Sequence, residues 1–313
     1  MPLRKLLLTG ASGLVGSHVA STAARRGFEV IGVVGRFPGT VPGLHRQIGL
    51  DLADPSRIQT LALEIFPDAI VNAAALSEPI LCDQNPPLAH ALNIVLPTLL
   101  AQTAHHLGAR LIHISSEQVF DGEHAPYRAG DAVAPPSLYA RQKVASEDAV
   151  ARFAPETGTT LRLPLLAGNS LTGTRSLHER LFLQWAAGRR ACLFHDEVRQ
   201  PCSAENAAET IVELCERHDN RSLGIQHWAG TQALSRLEIG RRIASHFRLP
   251  IETLIESASR TTAQTSGSPP RQRDLSLDCS PLSSLLKNRQ EDFSTLLERL
   301  AIPPAARSWY LAL

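Results

Sequence analysis

The octapeptide Thr9-Gly10-Ala11-Ser12-Gly13-Leu14-Val15-Gly16 restricts this chain more than any other stretch. It follows an apolar run, Arg4–Thr9, with the length of a buried strand. It opens a segment, Leu14–Arg26, with helical spacing that stops at Gly27. A glycine triplet alone is weak evidence, and the strand–turn–helix context is what gives it weight. Gly10 permits the tight turn, Gly13 lets the main chain approach a ligand, and Gly16 lets helix and strand pack closely. A helix start behind such a turn faces negative charge well. Gly10, Ser12, Gly13, Leu14, Val15 and Gly16 are therefore expected to cradle the pyrophosphate of a dinucleotide. The alternative is a turn that merely saves space. The spacing is G-x-x-G-x-x-G, not G-x-G-x-x-G.

The rest of the first half repeats the alternation. Phe28–Val34, Ala69–Asn72 and Arg110–Ser115 read as apolar strands, and Pro55–Phe66, Pro87–Leu107 and Ser137–Phe153 as helices. Continuous apolar strands separated by helices imply a parallel sheet buried on both faces. The expected fold is α/β: a Rossmann-type doubly wound parallel sheet with a smaller, partly interleaved C-terminal α/β substrate domain. Residues 1–160 would form the first domain and 161–313 mainly the second, with segments of about 190–230 returning to the first. In the second half, Leu161–Leu166 and Gly224–Ala229 read as strands. Leu177–Ala187, Ala204–Arg217 and Ser235–Phe247 read as helices. Ser257–Pro270, rich in Ser, Thr, Gly and Pro, reads as a mobile loop.

Composition excludes several classes. Thirty-one basic residues balance 30 acidic ones, which gives no electrostatic case for nucleic acid or an anionic membrane. No apolar run approaches the roughly 18 residues of a membrane span, and Leu6-Leu7-Leu8 is too short for the core of a signal peptide. The five cysteines are scattered and odd in number, as in a reduced cytoplasmic protein with neither a disulfide frame nor a metal site.

Other residues point to the cofactor and the chemistry. The second strand ends Val33-Val34-Gly35-Arg36, without the carboxylate that would hydrogen-bond an NAD ribose. Arg36 is placed to pair with a 2′-phosphate, or is an ordinary solvated arginine among 28. Asp51-Leu52 is placed to meet an adenine edge, or Asp51 is a loop cap. Tyr139 and Lys143 stand four residues apart, on one face of a helix. The ammonium would favour the phenolate and make the tyrosine a usable proton donor. The alternative is a surface pair. At the end of the fifth strand, Ser116 is placed to hydrogen-bond a substrate carbonyl and Ser115 to touch the nicotinamide ribose. Either serine is otherwise a strand-end cap. Pro97 has no N–H for the Asn93 carbonyl, which could then hold a water in a relay to Lys143, or simply mark a kink.

These residues, in this order, resemble the extended short-chain dehydrogenase/reductases. Among them the dTDP-4-dehydrorhamnose reductase family matches best, with its relative, the regulatory β subunit of methionine adenosyltransferase. The resemblance is carried by Thr9–Gly16, Val71-Asn72-Ala73-Ala74-Ala75, Asn93, Ser115–Gly122, Tyr139–Lys143, His227-Trp228-Ala229-Gly230 and Arg271–Ser280. It implies NADPH-dependent reduction of a 4-keto nucleotide sugar, with Ser116, Tyr139 and Lys143 as the catalytic triad. It adds Asn72, Ala73 and Ala74 to the NADP(H) site. The chain departs from the rhamnose enzymes at Glu117-Gln118, usually Asp-Tyr. It departs at Leu163-Pro164-Leu165-Leu166-Ala167, where a Ser-Trp pair is missing, and at Arg271-Gln272, usually Arg-Pro. Pro164 and His227-Trp228 fit the regulatory subunit slightly better.

The leading expectation is thus an NADP(H)-dependent reductase acting on a nucleotide sugar. A nucleotide-sugar epimerase or dehydratase is a second reading, although Gln118 offers an amide where a dehydratase needs a carboxylate. A non-catalytic NADP-binding module that regulates a partner protein is a third. A homodimer is compatible with each. The segment Ser257–Pro270 would close over the substrate, with Arg271 or Arg273 meeting its diphosphate.

Overall fold

The computed structural model describes residues 4–54, 56–217, 221–261 and 271–313. The apolar runs lie side by side as β1 (Arg4–Thr9), β2 (Phe28–Val34), β3 (Arg46–Gly49), β4 (Ala69–Asn72), β5 (Arg110–Ser116), β6 (Gly158–Leu163) and β7 (Gly224–His227). They form one sheet in the order β7-β6-β5-β4-β1-β2-β3, and every pairing is parallel. The chain starts in the middle, builds outward to β3, then returns and builds the other way. The reversal between β1 and β4 opens the crevice in which such sheets bind ligands.

Leu6, Leu7 and Leu8 show why the strands are continuously apolar. All three are fully buried. Leu6 and Leu8 pack with Val19 and Ala23 of α1 (Leu14–Arg25), whereas Leu7 packs with Ile58 and Leu61 of α2 (Ser56–Ile65) and Leu100 of α3 (Leu96–Leu107). The helix α4 (Leu138–Phe153) closes that second face through Val150. Ser137 caps its start, accepting from the Ala140 amide at 3.1 Å.

The second lobe gathers α5 (Leu177–Ala186), the paired strands Ala191–Phe194 and Ile255–Ala258, α7 (Arg236–His246) and the short helix Phe293–Glu298. Its core includes Phe182, Trp185, Ile243, Phe247 and Leu296. Between these elements the chain crosses back. The helix α6 (Ala204–Glu216) packs Ala207 and Ile211 into the same core as Val19, and β7 becomes the edge of the main sheet.

Three boundaries differ most from expectation. The sixth strand spans Gly158–Leu163 because Pro164 has no N–H for the ladder. The two residues Leu166–Ala167 pair instead with Cys202–Ser203. The expected helix Pro87–Leu107 is interrupted by a π-helical turn at Ala91–Val95, next to Pro97. Ser257 and Ala258 lie in a strand, not a loop, and the stretch 262–270 lies outside the described residues. Pro55, expected to open the second helix, also lies outside them. Among the described residues no helix is long and apolar enough to cross a membrane. None of their His, Cys, Asp and Glu side chains cluster as a metal site would need.

Candidate active site

The glycine loop joins β1 to α1 with little room to spare. Gly10 has φ +68°, and a Cβ there would come within 2.7 Å of the Ala73 carbonyl carbon and the Ala74 nitrogen. A Cβ on Gly16 would fall 2.1 Å from the Gly10 oxygen. The loop is thereby pressed against Ala73 and Ala74, at the crevice. Gly13 stands at the start of α1, where no side chain caps the helix and the first turn holds no acidic residue. Uncapped amides without a competing carboxylate suit a phosphate. The residues present therefore fit the pyrophosphate of a dinucleotide. Ser12, Leu14 and Val15 are half-buried around that helix start.

Beside it, Arg36 is exposed just beyond β2. Asp51 is exposed, and its Oδ1 accepts from the Ala53 amide at 3.0 Å, closing a local turn. Leu52 is buried with Val33, Ile58 and Leu61. Its side chain is core, and only its main chain is left for an adenine.

Asn72 also turns inward. Thr9 Oγ1 donates to Asn72 Oδ1 at 2.7 Å, and Asn72 Nδ2 lies 3.1 Å from His113 Nδ1. His113 Nε2 lies 2.9 Å from Ser146 Oγ, which donates to the Lys143 carbonyl at 2.7 Å. The line runs in one direction when His113 is neutral and protonated on Nε2. Burial, helped by the Lys143 charge, holds its pKa well below 6.5. Any cofactor contact at Asn72 therefore falls to its main chain. The side chain instead braces β1 and β4 against the helix that carries Tyr139.

Ser116 ends β5, and its hydroxyl accepts from the Gln118 amide at 3.2 Å. Across the cleft, Tyr139 and Lys143 project from α4. Burial raises the Tyr139 pKa, and interaction with the Ser116 hydroxyl works against that rise. Lys143 Nζ donates to the Ile114 carbonyl at 2.9 Å and stands 5.9 Å from the centre of the Tyr139 ring. Burial lowers its pKa to about 8, opposed by the Glu147 carboxylate. The three expected catalytic residues are thus brought together at the carboxyl end of β5. Ser115 differs: its hydroxyl donates to Glu147 Oε1 at 2.5 Å, so it faces α4 and is committed there rather than free for a ribose.

Asn93 holds the site from behind with its side chain. Its Oδ1 accepts from the Leu76 amide at 2.9 Å, and its Nδ2 donates to Gln142 Oε1 at 2.9 Å. Gln118, half-buried, is fixed through its carbonyl by the Gln272 amide at 3.0 Å. Arg271 pairs with Glu197 at 3.1 Å and stacks over the Phe194 ring at 4.3 Å. Arg273 lies 3.9 Å from Glu123. Both arginines have carboxylate partners, and their side chains keep 45% and 54% of their surface open.

Sequence reasoning missed the groups behind these. Glu147 continues the Tyr139–Lys143 face by one more turn, a spacing visible in the sequence. Its partner Arg162 and the charges around Glu117 had no local signal.

A doubly wound sheet with a glycine loop at the crevice and a Tyr–Lys helix beside a strand-end serine defines the extended short-chain dehydrogenase/reductase class. The profile of the family described as RmlD substrate binding domain matches residues 4–302, and the chain belongs to that family. It is 32% identical over 289 residues to methionine adenosyltransferase 2 subunit beta of Xenopus laevis, covering 91% of this chain and 83% of that one. It is 32% identical over 314 residues to the probable low-salt glycan biosynthesis reductase Agl14 of Haloferax volcanii, covering 97% and 98%. Among solved structures, a hypothetical dTDP-4-dehydrorhamnose reductase from Sulfolobus tokodaii superposes with a TM-score of 0.80 at 25% identity, covering 95% of this chain and all of that one. The dTDP-4-dehydrorhamnose reductase of Bacillus anthracis, solved in complex with NADP, superposes with a TM-score of 0.79 at 19% identity, covering 95% and 98%.

Proposed function

We propose that the protein is an NADPH-dependent reductase of a keto sugar carried on a nucleotide. The observation that carries this reading is the meeting of Ser116, Tyr139 and Lys143 at the carboxyl end of β5, on the same edge of the sheet as the glycine loop that follows β1. Gly10, Ser12, Gly13, Leu14, Val15, Gly16, Ala73 and Ala74 would hold the cofactor, with Arg36 on its 2′-phosphate. Bound NADPH supplies the hydride. Ser116 orients the ketone oxygen and Tyr139 protonates it. The Lys143 ammonium favours the phenolate left behind, and it is charged below about pH 8. The Haloferax reductase, similar over nearly the whole chain, supports this reading.

A second reading, an NADP-binding regulatory subunit, is favoured by the similarity to the adenosyltransferase subunits and by the missing tryptophan near Leu165. One experiment separates the two. NADPH oxidation is followed with a panel of 4-keto nucleotide sugars, dTDP-4-dehydrorhamnose first, for the wild type and Tyr139→Phe. The reductase reading expects turnover that falls about 100-fold or more in the variant, while NADPH affinity is kept. A wild-type rate that survives the substitution overturns the mechanism. Tight NADPH binding without turnover on any sugar, with one stable protein partner, favours the regulatory subunit.

A further inference from the structure

Three arginines of the second lobe converge next to Ser116. Arg199 is buried, with Nη2 3.1 Å from Glu197 Oε1 and Nε 3.4 Å from Glu117 Oε1. Arg236, the first residue of α7, has its Nε 3.7 Å from the same Glu197 oxygen. Arg271 Nη1 lies 3.1 Å from the other oxygen of Glu197. Three guanidinium groups therefore share two carboxylates. Of the two, Glu117 compensates least. It accepts from the Leu165 amide, yet its buried Oε2 has no hydrogen-bond partner among the described residues. Burial pushes its carboxyl up to about 8, so near neutral pH it is largely uncharged.

An excess of positive charge out of water is costly unless an anion completes it. This excess has a defined position. Glu117 follows Ser116 directly in the chain, and Tyr139 lies within its electrostatic reach. The Arg236 and Arg271 side chains keep 23% and 45% of their surface open, so a small group can still reach them. Glu197 already demonstrates the preferred guest, a carboxylate held by several guanidinium groups.

We propose that Arg199, Arg236 and Arg271 form a carboxylate-binding subsite. The sugar processed at Ser116 and Tyr139 then carries a carboxylate on the ring carbon next to the reacting one, as a hexuronate does. The proposal rests on the reductase reading above and narrows its substrate class. With the reacting oxygen held by Ser116 and Tyr139, a substituent on the adjacent carbon is presented to the surroundings of the next residue, Glu117. A neutral hydroxymethyl or methyl group there would leave the arginine excess unmatched. A carboxylate would take bidentate hydrogen bonds and could accept one from the neutral Glu117 carboxyl.

The test is calorimetric titration of the full chain, loaded with NADP⁺, with UDP-glucuronate and UDP-glucose, repeated with the thymidine nucleotides. Each pair differs only at the sugar carboxylate, so the diphosphate contribution cancels. The glucuronate is expected to bind at least tenfold tighter. Arg236→Gln and Arg271→Gln, both at partly open positions, are each expected to remove most of that preference, and Arg236→Gln to leave UDP-glucose affinity within about twofold. Equal affinities in the wild type overturn the proposal and leave the reductase reading intact. So does a preference that survives both substitutions. Binding of NADP⁺ with no binding of any nucleotide sugar overturns the nucleotide-sugar reading itself, and the proposal with it.

Discussion

Arg162 grips Glu147 with two parallel hydrogen bonds, Nε to Oε1 at 2.9 Å and Nη2 to Oε2 at 2.6 Å, one helical turn below Lys143. Both side chains are buried, and Ser115 donates to the same carboxylate. Arg162 also lies over the Phe120 ring at 4.9 Å, which in turn stacks on Tyr127 at 4.0 Å. The pair ties β6 to the catalytic helix and keeps a negative charge beneath the Lys143 ammonium.

Removing one partner should cost far more than a surface ion pair would. Arg162→Met leaves the Glu147 charge buried without its guanidinium partner, with the Ser115 hydroxyl and the more distant Lys143 ammonium left against it. We expect a loss of about 3–5 kcal/mol in urea unfolding, partly recovered by adding Glu147→Leu. A loss below about 1 kcal/mol would mean that the ion pair does not brace the helix.

His227 should make the fold sensitive to acid. Burial, followed by the Arg162 charge, lowers its pKa from 6.5 to about 4. Between those values the unfolded chain binds the proton and the native state does not, so stability falls as pH falls. Comparison with His227→Gln cancels every group common to both proteins. The wild type should lose roughly 3 kcal/mol relative to the variant between pH 7 and pH 4. Parallel stability profiles for the two proteins would refute this.

The glycines of the loop should not be equivalent. A Cβ on Gly16 would collide with the Gly10 carbonyl at 2.1 Å, whereas one on Gly13 would meet the same oxygen at 3.1 Å. Gly16→Ala should therefore destabilise the protein by about 1–3 kcal/mol through forced displacement of α1. Gly13→Ala should be milder on stability and act mainly on cofactor affinity. Thermal unfolding and nicotinamide fluorescence titrations read the two effects separately, and the reverse order of stabilities would contradict the geometry.

Arg36 should set the cofactor preference. In Arg36→Ala, NADPH affinity is expected to drop by an amount on the order of 1.5–3 kcal/mol while NADH affinity changes little, as for the loss of one charge-assisted contact. Equal wild-type affinities for the two cofactors, or no change in the variant, would remove the assignment.

Much of the molecule is legible without coordinates because its signals are local. Arg4–Thr9, Phe28–Val34 and Ala69–Asn72 stand where their apolar runs place them. The glycine turn needs only neighbouring residues to define it. Ser137 and Ser235 mark helix starts by chemistry that acts over three residues. Tyr139 and Lys143 declare a shared face by spacing alone.

What spacing alone does not show is where the outcome depends on distant partners. Asn72 and Ser115 sit at strand ends where a ligand contact is plausible, but His113 and Glu147 engage their side chains across the sheet and from α4. Ser257 and Ala258 have the composition of a loop, yet Leu193 and Phe194 offer them a strand to pair with.

The sequence by itself therefore determined the alternation of strands and helices, the cofactor turn and the Tyr–Lys helix, because hydrophobic periodicity, turn chemistry and helical spacing act over a few residues. Only the tertiary structure decided which buried polar groups meet: Thr9 with Asn72, Glu147 with Arg162, Glu117 with Arg199. A buried charge or amide must find a partner wherever the fold brings one within about 3 Å, and that partner can lie tens of residues away with no trace in the local pattern.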